Sequence, residues 1–559
     1  MNKKQKVIIV GGVAGGASAG ARLRRLDEQA EIIIFERDEY ISFANCGLPY
    51  YIGGEITEKN DLILQTPKSF KARFNIDVRS FSEVTAIDAA AQTVTVSESK
   101  TGKTYTEGYD KLVLATGAEP IVPPIAGVGS KNVFTLRNVE DTCEIKEYIT
   151  HSKPKSAAII GGGYIGIEMA ESLHSAGLEV TVIEMSEQVI APLDYDMACE
   201  PHSHLKNKGI RLLLNTTLKA IDEALSGIVL TVAEGDVMRP PVMCDMVLLA
   251  IGVKPETSLA KSAGIALTSR GHIVTNTAMQ TSVPAIYAVG DAVEVTDFIT
   301  GEKTAIPLAG PANKQGRIAA DHIADSGSTS QYTGTQGSAI IKIFDITVAA
   351  TGVNEKTAKR LGLSYDKSFT NSASHASYYP NAVNMSIKTI FENNTGKILG
   401  VQIVGKEGVD KRCDVFATAI RFGATAYDLT RLELCYAPPY SSAKDPVNMA
   451  GFVIENLLTG KVKNFHWHEV ASLPHDGSVT LLDTRTEYEY KRGHIEGFIN
   501  IPLDELRGRL DELDKAKPVY TTCQVGLRGY IGARILSQNG FDTYNLSGGY
   551  KLYSTIFGA

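Results

Sequence analysis

The sequence has no Cys-x-x-Cys pair, although it holds seven cysteines, at positions 46, 143, 199, 244, 413, 435 and 523. Their spacings fit neither a protein dithiol relay nor a disulfide framework, so reduced thiols in a cytoplasmic protein are expected, and no metal site. Long apolar runs are missing as well. The one after the N-terminal lysines stops at Gly11-Gly12, far short of a signal-peptide core, and reads as a first strand. Nothing else approaches a membrane span. Positive charge is not in excess: 56 Lys and Arg against 63 Asp and Glu give a net charge of −7. Nucleic acid and an anionic membrane surface therefore gain no support as partners. Tryptophan occurs once, at Trp467. Glycine is plentiful, with 51 residues, and a chain of 559 residues is long enough for several domains.

The glycines mark two dinucleotide turns. Lys6–Val10 runs into Gly11-Gly12-Val13-Ala14-Gly15-Gly16, then a helical stretch to Leu26, then a strand from Glu31 to Glu36. A pyrophosphate would sit on the helix N-terminus, with Glu36 and the adjoining Arg37 at the nucleotide. The middle glycine of the motif is Val13, so this turn alone could also be an ordinary strand–helix turn. The second copy is complete. Ser156–Ile160 leads into Gly161-Gly162-Gly163-Tyr164-Ile165-Gly166, a helix follows, and the strand from Glu179 ends at Glu184. Met185-Ser186-Glu187 offers no arginine for a 2′-phosphate, which favours NADH over NADPH. Strands closing on Ala115-Thr116-Gly117, on Gly252 and on Gly290-Asp291 recur, and Pro307-Leu308-Ala309 opens a helix reaching residue 325. Two dinucleotide units imply two dinucleotides, a flavin fed by a nicotinamide.

Between the first unit and its closing strand lies Ile41-Ser-Phe-Ala-Asn-Cys46-Gly-Leu-Pro-Tyr-Tyr51. A lone cysteine is more often a small buried hydrophobe than a nucleophile. Cys46, however, follows a nucleotide turn and precedes a helix whose N-terminus would favour thiolate. We read it as redox-active.

With Ser42-Phe-Ala-Asn-Cys46 added to these turns, residues 1–460 resemble the pyridine nucleotide–disulfide oxidoreductases. The single cysteine points to the branch of coenzyme A disulfide reductases, NADH oxidases and NADH peroxidases. The resemblance implies two Rossmann-like α/β domains, 1–115 with 256–330 for FAD and 116–255 for NADH, and an α+β dimerisation domain over 331–460. It also implies a homodimer in which Tyr378 and Tyr436 of one subunit stand beside the other's Cys46. Buried core tyrosines are the plain alternative for both. Ser18, Arg22, Arg25, Ser42, Asn45 and Lys444 stand where the family grips coenzyme A, and the region of Lys71 to Arg73 contributes a base. Arg22 and Arg25 share a helix face, which a solvated basic face would equally explain.

After Gly460 the character changes. Lys461 to Pro474 reads as a connector, and then come Asp483-Thr-Arg485, Gly493-His-Ile-Glu-Gly497 and Cys523-Gln-Val-Gly-Leu-Arg528. A cysteine opening such a loop ahead of a helix would hold a thiolate or persulfide among backbone N–H groups, with Arg528 as one wall. Residues 470–559 resemble a C-terminal α/β rhodanese domain. Together these resemblances imply NADH-driven, FAD-dependent reduction of coenzyme A disulfide, persulfide or polysulfide at Cys46, with sulfane sulfur carried on Cys523. Two alternatives stay open: an oxidase or peroxidase cycling Cys46 through sulfenic acid, and a non-enzymatic sulfide- or redox-sensing flavoprotein.

Overall fold

A computed structural model describes residues 4–225 and 227–558. The chain forms two compact units: residues 1–186 with 209–337, and residues 187–208 with 338–559. Among the described residues no helix is long and apolar enough to cross a membrane.

The N-terminal unit holds two parallel sheets of the same design. In the first, Ile286–Ala288, Lys111–Leu114, Lys6–Val10, Glu31–Phe35 and Asp77–Arg79 lie side by side in that order. In the second the order is Arg211–Leu213, Glu179–Ile183, Ser156–Ile160, Met246–Leu249 and Val133–Phe134. The central strands are continuous Val/Ile/Leu runs because helices or crossing segments cover both faces, and Ile8, Ile9, Ile159 and Val247 are fully buried. A small antiparallel sheet is inserted in the sequence of each, Ser82–Gly108 in the first and Thr217–Cys244 in the second.

The glycine turns have one geometry. Gly11 and Gly161 both take positive φ, +98° and +108°, and a Cβ on either would overlap the carbonyl of Ala115 or Ala250 on the neighbouring strand. Gly16 and Gly166 let the helices Ala14–Leu26 and Tyr164–Ser175 lie against the carbonyls of Gly11 and Gly161. Val13 is tolerated at the middle position of the first turn, where it forms part of a cavity wall.

In the C-terminal unit, an antiparallel sheet runs Ala339–Ile343, Ile346–Gly352, Ile398–Gly405, Asn384–Glu392, Tyr365–Ala373. The helices Tyr195–Asn207 and Val409–Arg421 belong with it. Residues 187–208 were expected to lie wholly within the second nucleotide domain; instead they join this unit. Lys388, fully buried, is one anchor: its ammonium pairs with Asp194 and Asp196 of that segment and with Glu355, at 2.8–3.0 Å, and Gln402, Asn354 and Lys356 bond to the segment as well. A second five-stranded sheet, all parallel, completes the unit in the order Lys463–Phe465, Thr543–Leu546, Val519–Thr522, Thr480–Asp483, Ile499–Asn500. The stretch expected as a connector thus contributes its edge strand, followed by a 3₁₀ turn, Trp467–Ser472, whose Trp467 indole donates to Asp196 at 3.2 Å.

Candidate active site

Each nucleotide turn is closed by the acid that ends its second strand. The Gly12 N–H donates to Glu36 Oε2 at 2.9 Å, and the Gly162 N–H donates to Glu184 Oε2 at 2.6 Å. Glu36 is raised from the usual carboxylate range, chiefly by burial. A cavity of about 270 Å³ opens beside the first turn, lined among others by Gly11, Val13, Glu36, Arg37, Thr116 and Glu256. Glu256 accepts from Arg37 at 2.6 and 3.1 Å and from Arg137 at 2.8 Å, and its backbone carbonyl accepts from Thr116 Oγ1 at 2.6 Å. The cavity's size, its helix N-terminus and its paired guanidiniums fit the adenosine and pyrophosphate end of a dinucleotide. At the second turn, a Cβ on Gly163 would meet nothing within 4 Å, so this turn too leaves room for phosphate.

Cys46 lies in a 3₁₀ turn, Asn45–Gly47, directly before the short helix Leu48–Gly53. It is exposed. The helix was expected to favour thiolate, but the protein around the thiol works the other way. Desolvation raises its pKa, and the carboxylates of Glu168 and Asp291 add to the rise. A six-residue helix contributes little dipole against two acids. Asp291 of the Gly290-Asp291 turn thus lies within electrostatic reach of Cys46. Glu168 sits on the helix Tyr164–Ser175 and accepts from Tyr50 Oη at 3.3 Å.

Cys523 is buried, and its Sγ accepts the Gly526 N–H at 3.1 Å at the head of the helix Leu527–Gln538. Gly526 has φ +97°. Arg485, also buried, forks onto Asp483 at 2.7–2.9 Å and lies 4.0 Å from the Tyr550 ring centroid. Arg528 forks onto Glu489 at 2.7 and 2.6 Å. All seven cysteines are free.

The model of the pyridine nucleotide-disulphide oxidoreductases matches residues 5–316, that of their dimerisation domain 338–446 and that of the rhodanese-like domain 466–555. The chain belongs to the pyridine nucleotide-disulphide oxidoreductase family. Within it, the coenzyme A disulfide reductase of Staphylococcus haemolyticus is 36% identical over 453 residues, 81% of this chain and 100% of its own. The NADH oxidase of Methanocaldococcus jannaschii is 38% identical over 450 residues, 80% of this chain and 97% of its own. Two solved structures span essentially the whole chain. Reduced CoADR-RHD of Bacillus anthracis is 51% identical with a TM-score of 0.96, covering 100% of this chain and 99% of its own. An NAD-dependent persulfide reductase from A. fulgidus is 37% identical with a TM-score of 0.91, covering 98% and 100%. The chain is therefore a flavin-dependent oxidoreductase of this family with a C-terminal rhodanese-like domain.

The other expected site residues divide between the units. Ser42, with φ +46°, and the exposed Asn45 flank Cys46. Ser18 Oγ donates to Asn313 Oδ1 at 2.7 Å, and Arg22 pairs with Asp321 at 2.7 Å, so both side chains are tied to the helix Ala309–Ala324 that Pro307 and Leu308 introduce. Arg25, Lys71 and Arg73 are exposed. In the C-terminal unit, Tyr378 and Tyr436 are exposed and share a hydroxyl–hydroxyl bond of 2.9 Å, and Lys444 is exposed. Core burial, the plain alternative for the tyrosines, is excluded. Sequence reasoning missed Arg137, Glu168, Glu256 and Glu489. Only the last had a readable signal, the Thr486-x-x-Glu489 capping box.

Proposed function

We propose that the protein uses NADH and FAD to reduce coenzyme A-linked disulfides or persulfides at Cys46, and that Cys523 carries sulfane sulfur to or from that chemistry. The observation that carries this reading is two cysteines, Cys46 and Cys523, each at the head of a helix and neither in a disulfide. A single cysteine cannot run a dithiol relay, so the second sulfur must arrive with the substrate. Bound FAD would supply a two-electron path between NADH and this sulfur. Glu36, Arg37, Thr116 and the turn Gly11–Gly16 would hold the flavin's nucleotide, with Gly290 and Asp291 near the reacting end. The turn Gly161–Gly166 and Glu184 would hold NADH.

The Cys46 thiolate attacks one sulfur of the substrate S–S bond, and coenzyme A thiolate or hydrosulfide leaves with the bonding pair. Two electrons then cleave the new S–S bond on Cys46 and regenerate its thiolate. The Tyr378–Tyr436 pair, reaching Cys46 across a homodimer interface, would donate to the departing thiolate. The exposed bases Arg25, Lys71, Arg73 and Lys444 would take the phosphates of coenzyme A.

An NADH oxidase reading is favoured by the Methanocaldococcus relative, since that protein is named for it. Steady-state NADH consumption decides between them. Turnover under anaerobic conditions with coenzyme A disulfide or persulfide, abolished in Cys46→Ser, is expected. Turnover dependent on oxygen or peroxide and indifferent to coenzyme A sulfur would overturn the proposal.

A further inference from the structure

The rhodanese-like loop offers its sulfur little free positive charge. In the six residues from Cys523 to Arg528 the only cation is Arg528, and its guanidinium is forked onto Glu489 with two bonds under 2.8 Å. The other guanidinium bonded into the loop's surroundings, Arg485, reaches Gln524 Oε1 at 3.4 Å but is forked onto Asp483. Two cations and two carboxylates cancel. The Cys523 sulfur is left to a backbone N–H, that of Gly526. The residues adjoining Glu489 and Arg528 in sequence, Tyr488 and Leu527, are exposed, at 70% and 56% of their full exposure. Arg492 lies over the Tyr488 ring, 5.6 Å from its centroid, rather than on the loop.

We infer that Glu489 is a specificity residue: by neutralising Arg528 it disfavours small dianionic sulfur donors such as thiosulfate and leaves Cys523 selective for persulfides of organic thiols. This rests on the reading of Cys523 as a sulfur carrier. With thiosulfate, the Cys523 thiolate attacks the outer sulfur, the S–S bond breaks, and sulfite leaves with the bonding pair. Three negative charges then meet where both neighbouring guanidiniums, Arg528 and Arg485, are already paired with carboxylates. With a persulfide RS–SH, the same thiolate attacks the terminal sulfur, RS⁻ leaves with the pair, and the proton stays on the transferred sulfur. Only one negative charge then lies on the reacting sulfurs of the protonated persulfide, and the Gly526 N–H stands at the Cys523 sulfur to receive it.

Glu489 also caps the helix Glu487–Lys491, accepting the Thr486 N–H at 2.9 Å, a bond that the amide oxygen of glutamine can keep. Glu489→Gln in the full-length holoenzyme therefore removes the charge and spares the cap. Sulfur loading of Cys523 is followed by mass spectrometry with two donors, thiosulfate and glutathione persulfide. The expected result for Glu489→Gln is a fall of about tenfold in KM for thiosulfate, with kcat/KM for glutathione persulfide within about twofold of wild type. Arg528→Gln, which leaves Glu489 uncompensated, should move thiosulfate the opposite way, and the double variant should return its use to the wild-type level. Equal changes for both donors, or no change for thiosulfate in either single variant, would overturn the inference. Cys523→Ser is the separate control: loading that persists there refutes the carrier reading itself, whatever Glu489 does.

Discussion

At the scale of single residues, Cys46, the thiol proposed to react, is set against its own ionisation. Desolvation and the carboxylates of Glu168 and Asp291 hold Cys46 above the ordinary thiol pKa, which suppresses thiolate in the resting chain. Glu168 is itself pushed upward by burial, so its charge at Cys46 grows as pH rises through its raised pKa. Removing that charge must lower the thiol pKa. Glu168→Gln is expected to speed alkylation of Cys46 by iodoacetamide near neutral pH about threefold to tenfold, up to one pKa unit. Measured in a Cys523→Ser background, the rate–pH profile should move to lower pH. An unmoved profile would mean that Glu168 does not act on the thiol. Lys388 presents the opposite case, a buried cation holding three acids. Burial opposes charge on Asp194 and Glu355, but Lys388 outweighs it and both stay below the usual carboxylate range. Lys388→Met should cost about 3–5 kcal/mol in urea unfolding at neutral pH. Because depressed carboxylates give their stability above their unfolded pKa and lose it as pH falls, that deficit should shrink below about pH 4.

At the scale of elements, the nucleotide units were legible because their constraint is local. Gly11 and Gly161 occupy backbone that only glycine adopts without strain, and the acids Glu36 and Glu184 follow at fixed spacing, so turn, helix and strand can be read off together. The loop from Cys523 to Arg528 was legible for the same reason. Pairings distant in sequence were not. Glu256 meets Arg37 across 219 residues, and nothing near either position announces the other. The departure of residues 187–208 into the C-terminal unit is anchored in part by Lys388, which looks in sequence like one polar residue in an alternating strand. The edge strand Lys463–Phe465 is three residues long, too short for a pattern, and pairing with Thr543–Leu546 defines it. The strand ending at Glu184 carries its own prediction. With Met185 and Ser186 following and no arginine for a 2′-phosphate, kcat/KM for NADH should exceed that for NADPH about tenfold or more, roughly 1.4 kcal/mol. Parallel steady-state assays with the two nucleotides check it, and equal use would refute the role given to Glu184.

At the scale of the whole molecule, the two cysteines lie in different compact units, Cys46 in the first and Cys523 in the second. Flavin reduction by NADH needs neither thiol, so Cys46→Ser and Cys523→Ser should both retain it in single-turnover absorbance measurements. Reduction of a coenzyme A disulfide or persulfide needs a nucleophile that can form an S–S bond. Serine cannot, and Cys46→Ser should abolish that reduction. Cys523 is held by its own sheet, its own helix and the Gly526 N–H, all within the second unit. Its loss should therefore spare coenzyme A persulfide offered in solution, while stopping sulfur that must first load the rhodanese-like loop. The deciding assay is anaerobic NADH oxidation by Cys523→Ser with free coenzyme A persulfide. Turnover within about twofold of wild type makes coenzyme A the mobile carrier between two independent sulfur sites. Complete loss would make Cys523 an obligatory partner of Cys46, and the single-cysteine mechanism would fall with it.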